Sequence, residues 1–237
     1  MSFIFHAAFY NPIYNILVAL VAYIPGGDVG IAIILMTLII QLILLPFSLS
    51  AARTQVAMKM LTPKLNELKE KYKGDKEKEA VATLELYKQE KVNPFASILM
   101  LFIQLPVMLA LYWVFRYEPF SSLDHARLYS FTPIPHVISL MFLGLVSVAG
   151  KSIILAALAG VAQYVLAIFT PTPTTAGGAQ GDFARVLNLQ MRYVFPVLIA
   201  VIAYSTSAAV AIYFVTVNST RAFQQWYVNR HYTPPAL

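Results

Sequence analysis

Residues 29–52 read VGIAIILMTLIIQLILLPFSLSAA, and no side chain in this stretch is ionisable. A helix needs about 20 apolar residues to cross the roughly 30 Å hydrocarbon layer of a membrane. The stretch is long enough, but it carries one amide, Gln41, and one proline, Pro46. Residues 29–52 therefore predict a membrane span, and because a buried amide needs hydrogen-bond partners, Gln41 is expected to face a polar neighbour or water.

The rest of the chain has the same apolar character. Of its 237 residues, 59% are hydrophobic and 12% are charged, whereas soluble domains average about 25% charged residues. The apolar runs are continuous rather than alternating, which predicts helices rather than strands. We therefore expect an all-α polytopic membrane protein with five transmembrane helices, an N-terminal interfacial helix and a cytoplasmic helical hairpin.

Cysteine is absent, so disulfides, thiolate metal sites and a cysteine nucleophile are excluded. Residues 1–12 contain no basic region and no small-residue cleavage site, and we expect neither a signal peptide nor a transit peptide. The bacterial inner membrane is the simplest location for such a chain.

Breaks in the apolar pattern divide the chain into one membrane domain with a polar insertion. Residues 1–27 form an N-terminal segment whose apolar part, residues 12–24, is too short to span comfortably and predicts an interfacial helix. Residues 28–52 are the first span, and residues 53–92 are a cytoplasmic helical hairpin. Residues 93–237 contain spans two to five and a short C-terminal tail.

The hairpin holds most of the charge. Between Arg53 and Lys91 lie ten of the 17 basic residues and seven of the 11 acidic residues. Thr62 is expected to cap the first arm and Asp75 the second. The apolar residues that recur at helical spacing, and that predict the inner faces of the arms, are Leu61, Leu65, Leu68 and Tyr72, followed by Val81, Leu84 and Tyr87. The length of the insertion leaves a docking role and an inert loop equally open.

Four more spans are predicted from the apolar runs that follow. They cover residues 94–115, 152–169, about 185–204 and about 208–227, with a short outer-surface segment at 137–149.

The distribution of lysine and arginine gives the orientation. With the N-terminus outside and the C-terminus inside, 14 of the 17 basic residues lie on the cytoplasmic side, leaving Arg116, Arg127 and Lys151 on the other. The 28 uncharged residues between Arg192 and Arg221 are too many for one span, so a tight turn near residues 205–208 is expected to divide them, and Arg221 is counted with the short C-terminal tail.

The spans are expected to contain no titratable residue at depth. All 11 Asp and Glu and all four His lie outside the predicted cores. Metal clusters and acid–base pairs need such residues close together. We therefore expect no enzyme activity, no cofactor and no metal.

Uncharged polar residues remain on single helix faces. Thr37 and Gln41 are four residues apart, Ser97 and Gln104 are seven apart, and others mark the third and fifth spans, namely Gln163, Tyr213 and Thr216. Such stripes have two explanations: hydrogen bonds between helices, worth about 0.6 kcal/mol each, or the lining of a polar cavity. Periodicity alone favours hydrogen bonds between helices.

Several stretches together resemble the YidC/Alb3/Oxa family of membrane protein insertases. They are FYNPIYN, GIAIILMTLIIQLILLPFS, KMLTPKLNELKEKYKGDKEK, LYKQEKVNPFASILMLFIQLPVMLALYW, FLGLVSVAGKSIILAALAGVAQYVL and IYFVTVNSTRAFQQWY, and they cover most of the chain. The resemblance implies a five-span core with a groove that opens to the cytoplasm and to lipid. The groove receives the polar part of an incoming protein, and its apolar segment then enters the bilayer without nucleotide hydrolysis.

The resemblance also implies which residues line this groove. Thr37, Gln104, Gln163 and Tyr213 match polar or aromatic positions of the family, whereas Gln41 stands where the family usually has an arginine. Arg53 is twelve residues further along, about 18 Å. No basic residue is therefore expected to replace that arginine, and insertion should depend only weakly on acidic residues in the substrate. The expected uncharged, substrate-binding groove consists of Thr37, Gln41, Ser97, Gln104, Gln163, Tyr213 and Thr216.

The expected partners are newly made membrane proteins and the lipid bilayer, and no DNA. The sequence leaves open the substrates, the oligomeric state and any docking to a Sec translocon or a ribosome. The alternative function is a small-solute channel or transporter, but such proteins usually show inverted repeats, and no internal repeat is visible.

The predicted orientation can be tested by labelling. Single cysteines at positions 75 and 125 of this cysteine-free chain should react with an impermeant thiol reagent from opposite faces of the membrane. Labelling of both from the same face would contradict the orientation.

Overall fold

The computed structural model describes residues 5–90, 92–93, 95–117, 123–171, 186 and 189–232, with side chains left undescribed at 95–101 and 116–117. The helices and strands in this part of the chain are α1 (Asn11–Tyr23), α2 (Val29–Ile43), α3 (Leu45–Met60), α4 (Thr62–Lys71), α5 (Lys76–Gln89), α6 (Phe95–Tyr117), β1 (Met141–Phe142), β2 (Val146–Ser147), α7 (Ile153–Phe169), α8 (Phe195–Ser205) and α9 (Ala208–His231). Five-residue π-helical turns, His6–Tyr10 and Gln190–Val194, precede α1 and α8. The fold is helical, as predicted, apart from the small antiparallel pair β1–β2.

Residues 29–52 do not form one continuous span. The helix breaks at Leu44, and α2 and α3 meet at an angle of 67°. Pro46 has no N–H to donate to the carbonyl of Leu42, so the hydrogen-bond ladder is interrupted there. α3 then continues past Arg53 to Met60, beyond the predicted end of the span. By length and composition, no single helix of the described residues would cross a membrane, whereas α2 and α3 together could.

Helix α9 is central to the packing of the molecule. It contacts α7, α2, α3 and α8. Ala208, Ala209 and Ala211 are at most 1% exposed, and such small residues allow helix backbones to approach closely. Gly160 of α7 plays the same role against α8, since a Cβ there would lie 3.0 Å from both the Pro196 carbonyl oxygen and the Cβ of Ala200. The close contacts fix α7, α8 and α9 as one unit.

The loop after α6 is held by a buried amide on α1. The Nδ2 of Asn15 donates to the carbonyl of Arg127 at 2.9 Å, and its Oδ1 accepts from the Tyr129 N–H and the Thr132 hydroxyl, each at 2.7 Å. All four hydrogen-bonding positions of the amide are used, because Nδ2 also donates to the Asn11 carbonyl at 2.8 Å. The loop is therefore tied to the first helix.

A buried carboxylate holds the β1–β2 pair. Asp28 caps α2 by accepting from the Ile31 N–H at 3.0 Å, and its second oxygen accepts from the Leu143 N–H at 2.7 Å. Gly27 beside it has a positive φ of 63°, and a Cβ there would lie 2.0 Å from the Val137 carbonyl oxygen. Only glycine fits this close approach.

Of the two helix caps predicted for the hairpin, only one is observed. Asp75 caps α5 by accepting from the Lys78 N–H at 3.1 Å, as predicted. The side chain of Lys78 also hydrogen-bonds Asp75, and this contact lowers the pKa of the carboxyl group. Thr62 is not a cap, because Leu61 keeps a near-helical backbone and α4 follows α3 almost without interruption.

The first arm of the hairpin uses the predicted face, through Leu61, Leu65 and Leu68, whereas of the residues predicted for the second arm only Tyr87 packs against it. Val81 and Leu84 are both 53% exposed. Leu86, which the sequence analysis left out, is buried with Leu61 and Leu65. A Lys64–Glu90 ion pair at 2.7 Å lies at the same end of the hairpin. The second arm therefore meets the first through residues 86–90, at the base of the hairpin.

Candidate functional site

A polar cavity of about 410 Å³ lies between α3, α6, α7, α8 and α9. Its polar lining residues are Ser48, Gln55, Gln104, Gln163, Thr170, Arg192, Asn218, Arg221, Gln224 and Gln225. Apolar side chains such as Leu105, Met108 and Phe214 complete the wall. Amides dominate the polar part, so the cavity offers both donors and acceptors.

Arg221 places a positive charge in this cavity. Its Nη2 donates to the Oε1 of Gln104 at 2.7 Å, and the Nε2 of the same amide donates to the hydroxyl of Tyr213. Gln104 on α6 thus joins two side chains of α9 whose backbones are eight residues apart, about 12 Å. Because its oxygen must face the guanidinium and its nitrogen the hydroxyl, the amide has only one useful orientation.

The charge of Arg221 is not neutralised by a carboxylate in the described part of the chain. The ion pairs formed by the described residues do not include it, and its Nε atom is buried without a hydrogen-bond partner among them. A buried cation held by neutral groups alone is poorly compensated, which favours an incoming anion. The cavity is therefore suited to a carboxylate.

This cavity is charged, in contrast to the uncharged groove expected from the sequence. The sequence-based expectation counted Arg221 with the C-terminal tail and compared only Arg53 with Gln41 along the first span. α9 instead runs on to His231, so Arg221 lies inside the helix and its side chain points into the cavity. The arginine is supplied by another helix, and distance along the chain from Gln41 could not reveal it.

The structure separates the predicted groove residues into two groups. Gln104 and Gln163 line the cavity. The others with described side chains are not among its lining residues: Thr37, Gln41, Tyr213 and Thr216. Of these, Tyr213 reaches the cavity indirectly through Gln104. The side chain of Ser97 lies outside the described residues.

The hydroxyl groups of two of these threonines form hydrogen bonds within their own helices. The hydroxyl of Thr37 donates to the Ile33 carbonyl at 2.7 Å, and that of Thr216 donates to the Ile212 carbonyl at 2.8 Å. Such bonds remove the need for a partner on another helix. Gln41 differs, since it is 2% exposed and its Oε1 has no hydrogen-bond partner in the described part of the chain.

Sequence reasoning missed several lining residues. The polar ones are Ser48, Gln55, Thr170, Arg192, Asn218, Arg221, Gln224 and Gln225. On α9 the signal was present, because positions 218, 221 and 225 follow one another at helical spacing. It was not used, because Arg221 was counted with the C-terminal tail. On α3 there was no signal, since Ser48 and Gln55 face the cavity only because the helix bends at Leu44.

The comparisons with known proteins agree with the resemblance read from the sequence. The family model described as 60Kd inner membrane protein matches residues 20–235. The chain is 29% identical over 201 residues to the membrane protein insertase YidC of Methylobacillus flagellatus, which covers 85% of this chain and 32% of that protein. It is 29% identical over 212 residues to the protein of the same name from Francisella tularensis subsp. novicida, covering 87% and 33%. The chain thus spans about a third of the length of these relatives.

The role of Gln104 as the acceptor for Arg221 can be tested by stability. In Gln104→Leu the guanidinium loses its acceptor, and hydrogen bonds to charged groups contribute about 1.5–3 kcal/mol. We expect the unfolding free energy in detergent micelles to fall by about that amount. Gln104→Glu, which keeps an acceptor and adds a negative charge, should be less destabilised.

Gln163→Leu is the matched control, because Gln163 lines the same cavity from α7. Equal losses of unfolding free energy in Gln104→Leu and Gln163→Leu would show that the hydrogen bond to Arg221 contributes no more to stability than any other amide of the cavity lining.

Proposed function

The chain belongs to the family of 60Kd inner membrane proteins, and on that premise we propose that it is an insertase for integral membrane proteins. The observation that carries the proposal is the partly buried guanidinium of Arg221 in a cavity whose polar lining residues are mainly amides. The substrates are newly made membrane proteins whose leading polar segment enters this cavity. We place the protein in the bacterial inner membrane with five spans, the N-terminus outside and the C-terminus inside.

The cavity lowers the cost of moving polar groups into the membrane. An unsatisfied backbone or side-chain polar group costs several kcal/mol in hydrocarbon. Gln55, Gln163, Gln224 and Gln225 provide donors and acceptors that replace water around an incoming segment. The apolar part of the substrate then passes into the bilayer, driven by transfer of its side chains out of water. No covalent step and no nucleotide hydrolysis is required.

Arg221 gives the cavity a preference among substrates. A carboxylate in the leading segment gains a charge-assisted hydrogen bond with the guanidinium, and such bonds are about twice as strong as neutral ones. The interaction with Gln104 holds the guanidinium in place before the substrate arrives. This reverses the weak dependence on acidic residues that an uncharged groove predicts.

The bend between α2 and α3 helps to form the same cavity. α2 carries Thr37 and Gln41, whose side chains are buried, whereas α3 turns Ser48 and Gln55 to the cavity. We place the α4–α5 hairpin at the cytoplasmic surface, where it follows the cavity wall directly. The Oε1 of Gln41, which has no hydrogen-bond partner in the described part of the chain, leaves an acceptor for an incoming polar group or a water molecule.

The charge of Arg221 can be tested in proteoliposomes. The substrate is a small single-span protein whose leading segment contains either two aspartates or two asparagines. The unmodified chain should insert the acidic form several-fold better, because one carboxylate–guanidinium contact contributes about 1.5–3 kcal/mol at most. Arg221→Gln should reduce this preference to the part contributed by Arg192, the other basic residue of the cavity lining, whereas Arg221→Lys should keep more of it.

Lys59→Gln is the control, since it removes one positive charge from an exposed position at the end of α3. Variants are compared at equal levels of folded protein, measured by circular dichroism. Equal insertion of both substrates by the unmodified chain would contradict the role of Arg221. Solute leakage without insertion of either substrate would favour a channel instead.

The role of Gln41 is tested in the same assay. Gln41→Leu should impair insertion of both substrates, because it removes a polar contact without changing charge. Gln41→Arg should be tolerated if the surroundings of this side chain are wet enough to solvate a guanidinium. Full activity of Gln41→Leu would show that Gln41 only joins helices.

A further inference from the structure

A second cavity lies on the opposite side of the α7–α9 pair. It is an apolar groove of about 570 Å³ and shares no lining residue with the polar cavity. Its walls are Leu158, Val161, Ala162, Val165 and Phe169 of α7 and Val215, Ser219, Ala222, Phe223 and Trp226 of α9. The volume is in the range of about 300–1,000 Å³ that is usual for ligand sites. Nothing in the proposed insertion mechanism uses this groove.

The groove has the length of one membrane leaflet. Its lining residues extend from 158 to 169 on α7 and from 215 to 226 on α9, which is eleven residues, or about 16 Å, on each helix. The hydrocarbon core of a bilayer is about 30 Å thick. The groove therefore matches half of the core, which is the depth of a single acyl chain.

A basic residue stands at one end of the groove. The guanidinium of Arg230 lies 5.8 Å from the centre of the Trp226 ring. Asn229 closes the groove at the same end, where its Nδ2 donates to the Phe169 carbonyl at 2.6 Å. The apolar walls and the cation thus follow one another along α9, in the order of the acyl chain and the phosphate of a lipid.

We propose that this groove binds one phospholipid with an anionic headgroup, its acyl chain between α7 and α9 and its phosphate at Arg230. The assignment to the cytoplasmic leaflet rests on the orientation given under the proposed function. The half-core length and the cation at one end both fit a lipid. A transmembrane helix of a partner would need apolar contact along the whole core. Helix α9 then has a substrate cavity on one face and a lipid on the other.

Trp226 is a built-in reporter for the test. The chain has two tryptophans, and Trp113→Phe leaves Trp226 as the only one. This variant is placed in nanodiscs of phosphatidylcholine that contain a small fraction of brominated phosphatidylglycerol or, separately, brominated phosphatidylcholine, whose bromine atoms quench a tryptophan in contact. Quenching by the anionic lipid should require about fivefold less lipid, which corresponds to about 1 kcal/mol for one arginine near an anionic group.

Two variants probe the two parts of the site. Arg230→Gln should remove the preference for the anionic lipid. Arg53→Gln should keep it, because Arg53 makes the same kind of contact with Tyr232, 5.8 Å from its ring centre, away from the groove. Ser219→Phe fills the groove from an exposed position and should reduce quenching by both lipids. Val201→Phe, at an exposed position of α8, should leave quenching unchanged.

The outcomes distinguish the occupants. Equal quenching by both lipids would overturn the proposal, because the groove then holds bulk lipid without selection. Protection of Trp226 from both lipids by an added apolar single-span peptide would overturn it in favour of a helix. The lipids occupy both leaflets and no substrate is present, so the result is independent of the orientation and of insertion activity.

Discussion

The partly buried guanidinium of Arg221 is the constraint on which the polar centre of this protein depends. A charge inside a helix bundle is costly unless neighbouring groups compensate it. Gln104 supplies the acceptor, and it in turn is fixed by Tyr213. This arrangement requires α6 and α9 to lie side by side at one register. The same register places the amides of α9 in the wall of the cavity.

That register is set by packing rather than by polar contacts. α9 approaches its neighbours through alanines that are almost fully buried, and Gly160 allows α7 to approach α8. In lipid the hydrophobic effect does not press helices together, so close van der Waals contact between small residues carries the association. The loops add two polar ties, at Asn15 and Asp28, which attach the segment between α6 and α7 to the first two helices. The polar cavity is therefore surrounded by helices that are held from several sides.

The bend at Leu44 links the apolar and the charged parts of the chain. Beyond it, α3 carries polar side chains to the cavity and leads almost without a break into the hairpin. The hairpin itself is joined mainly at its base, by a small apolar cluster and one ion pair. Val81 and Leu84 in the middle of its second arm are exposed, which leaves apolar surface beside many charges. The contacts between the two arms are thus concentrated at the base of the hairpin, next to the helix bundle.

The sequence by itself determined the helical class, the main helices, the cap at Asp75 and the family. These follow from apolar runs, breakers and short local patterns, all of which act between residues close in the chain. The sequence also predicted Gln104 as a site residue, because it is an amide within an otherwise apolar helix. Only the tertiary structure decided that Gln104 binds Arg221, that Thr37 bonds to its own helix, and that Leu86 rather than Val81 faces the other arm. The reason is physical: periodicity gives the face of a helix, but which face meets a partner depends on bends and on close packing between segments far apart in the chain. The charge of the cavity therefore came from a helix 180 residues after Gln41, where only the folded chain could bring it.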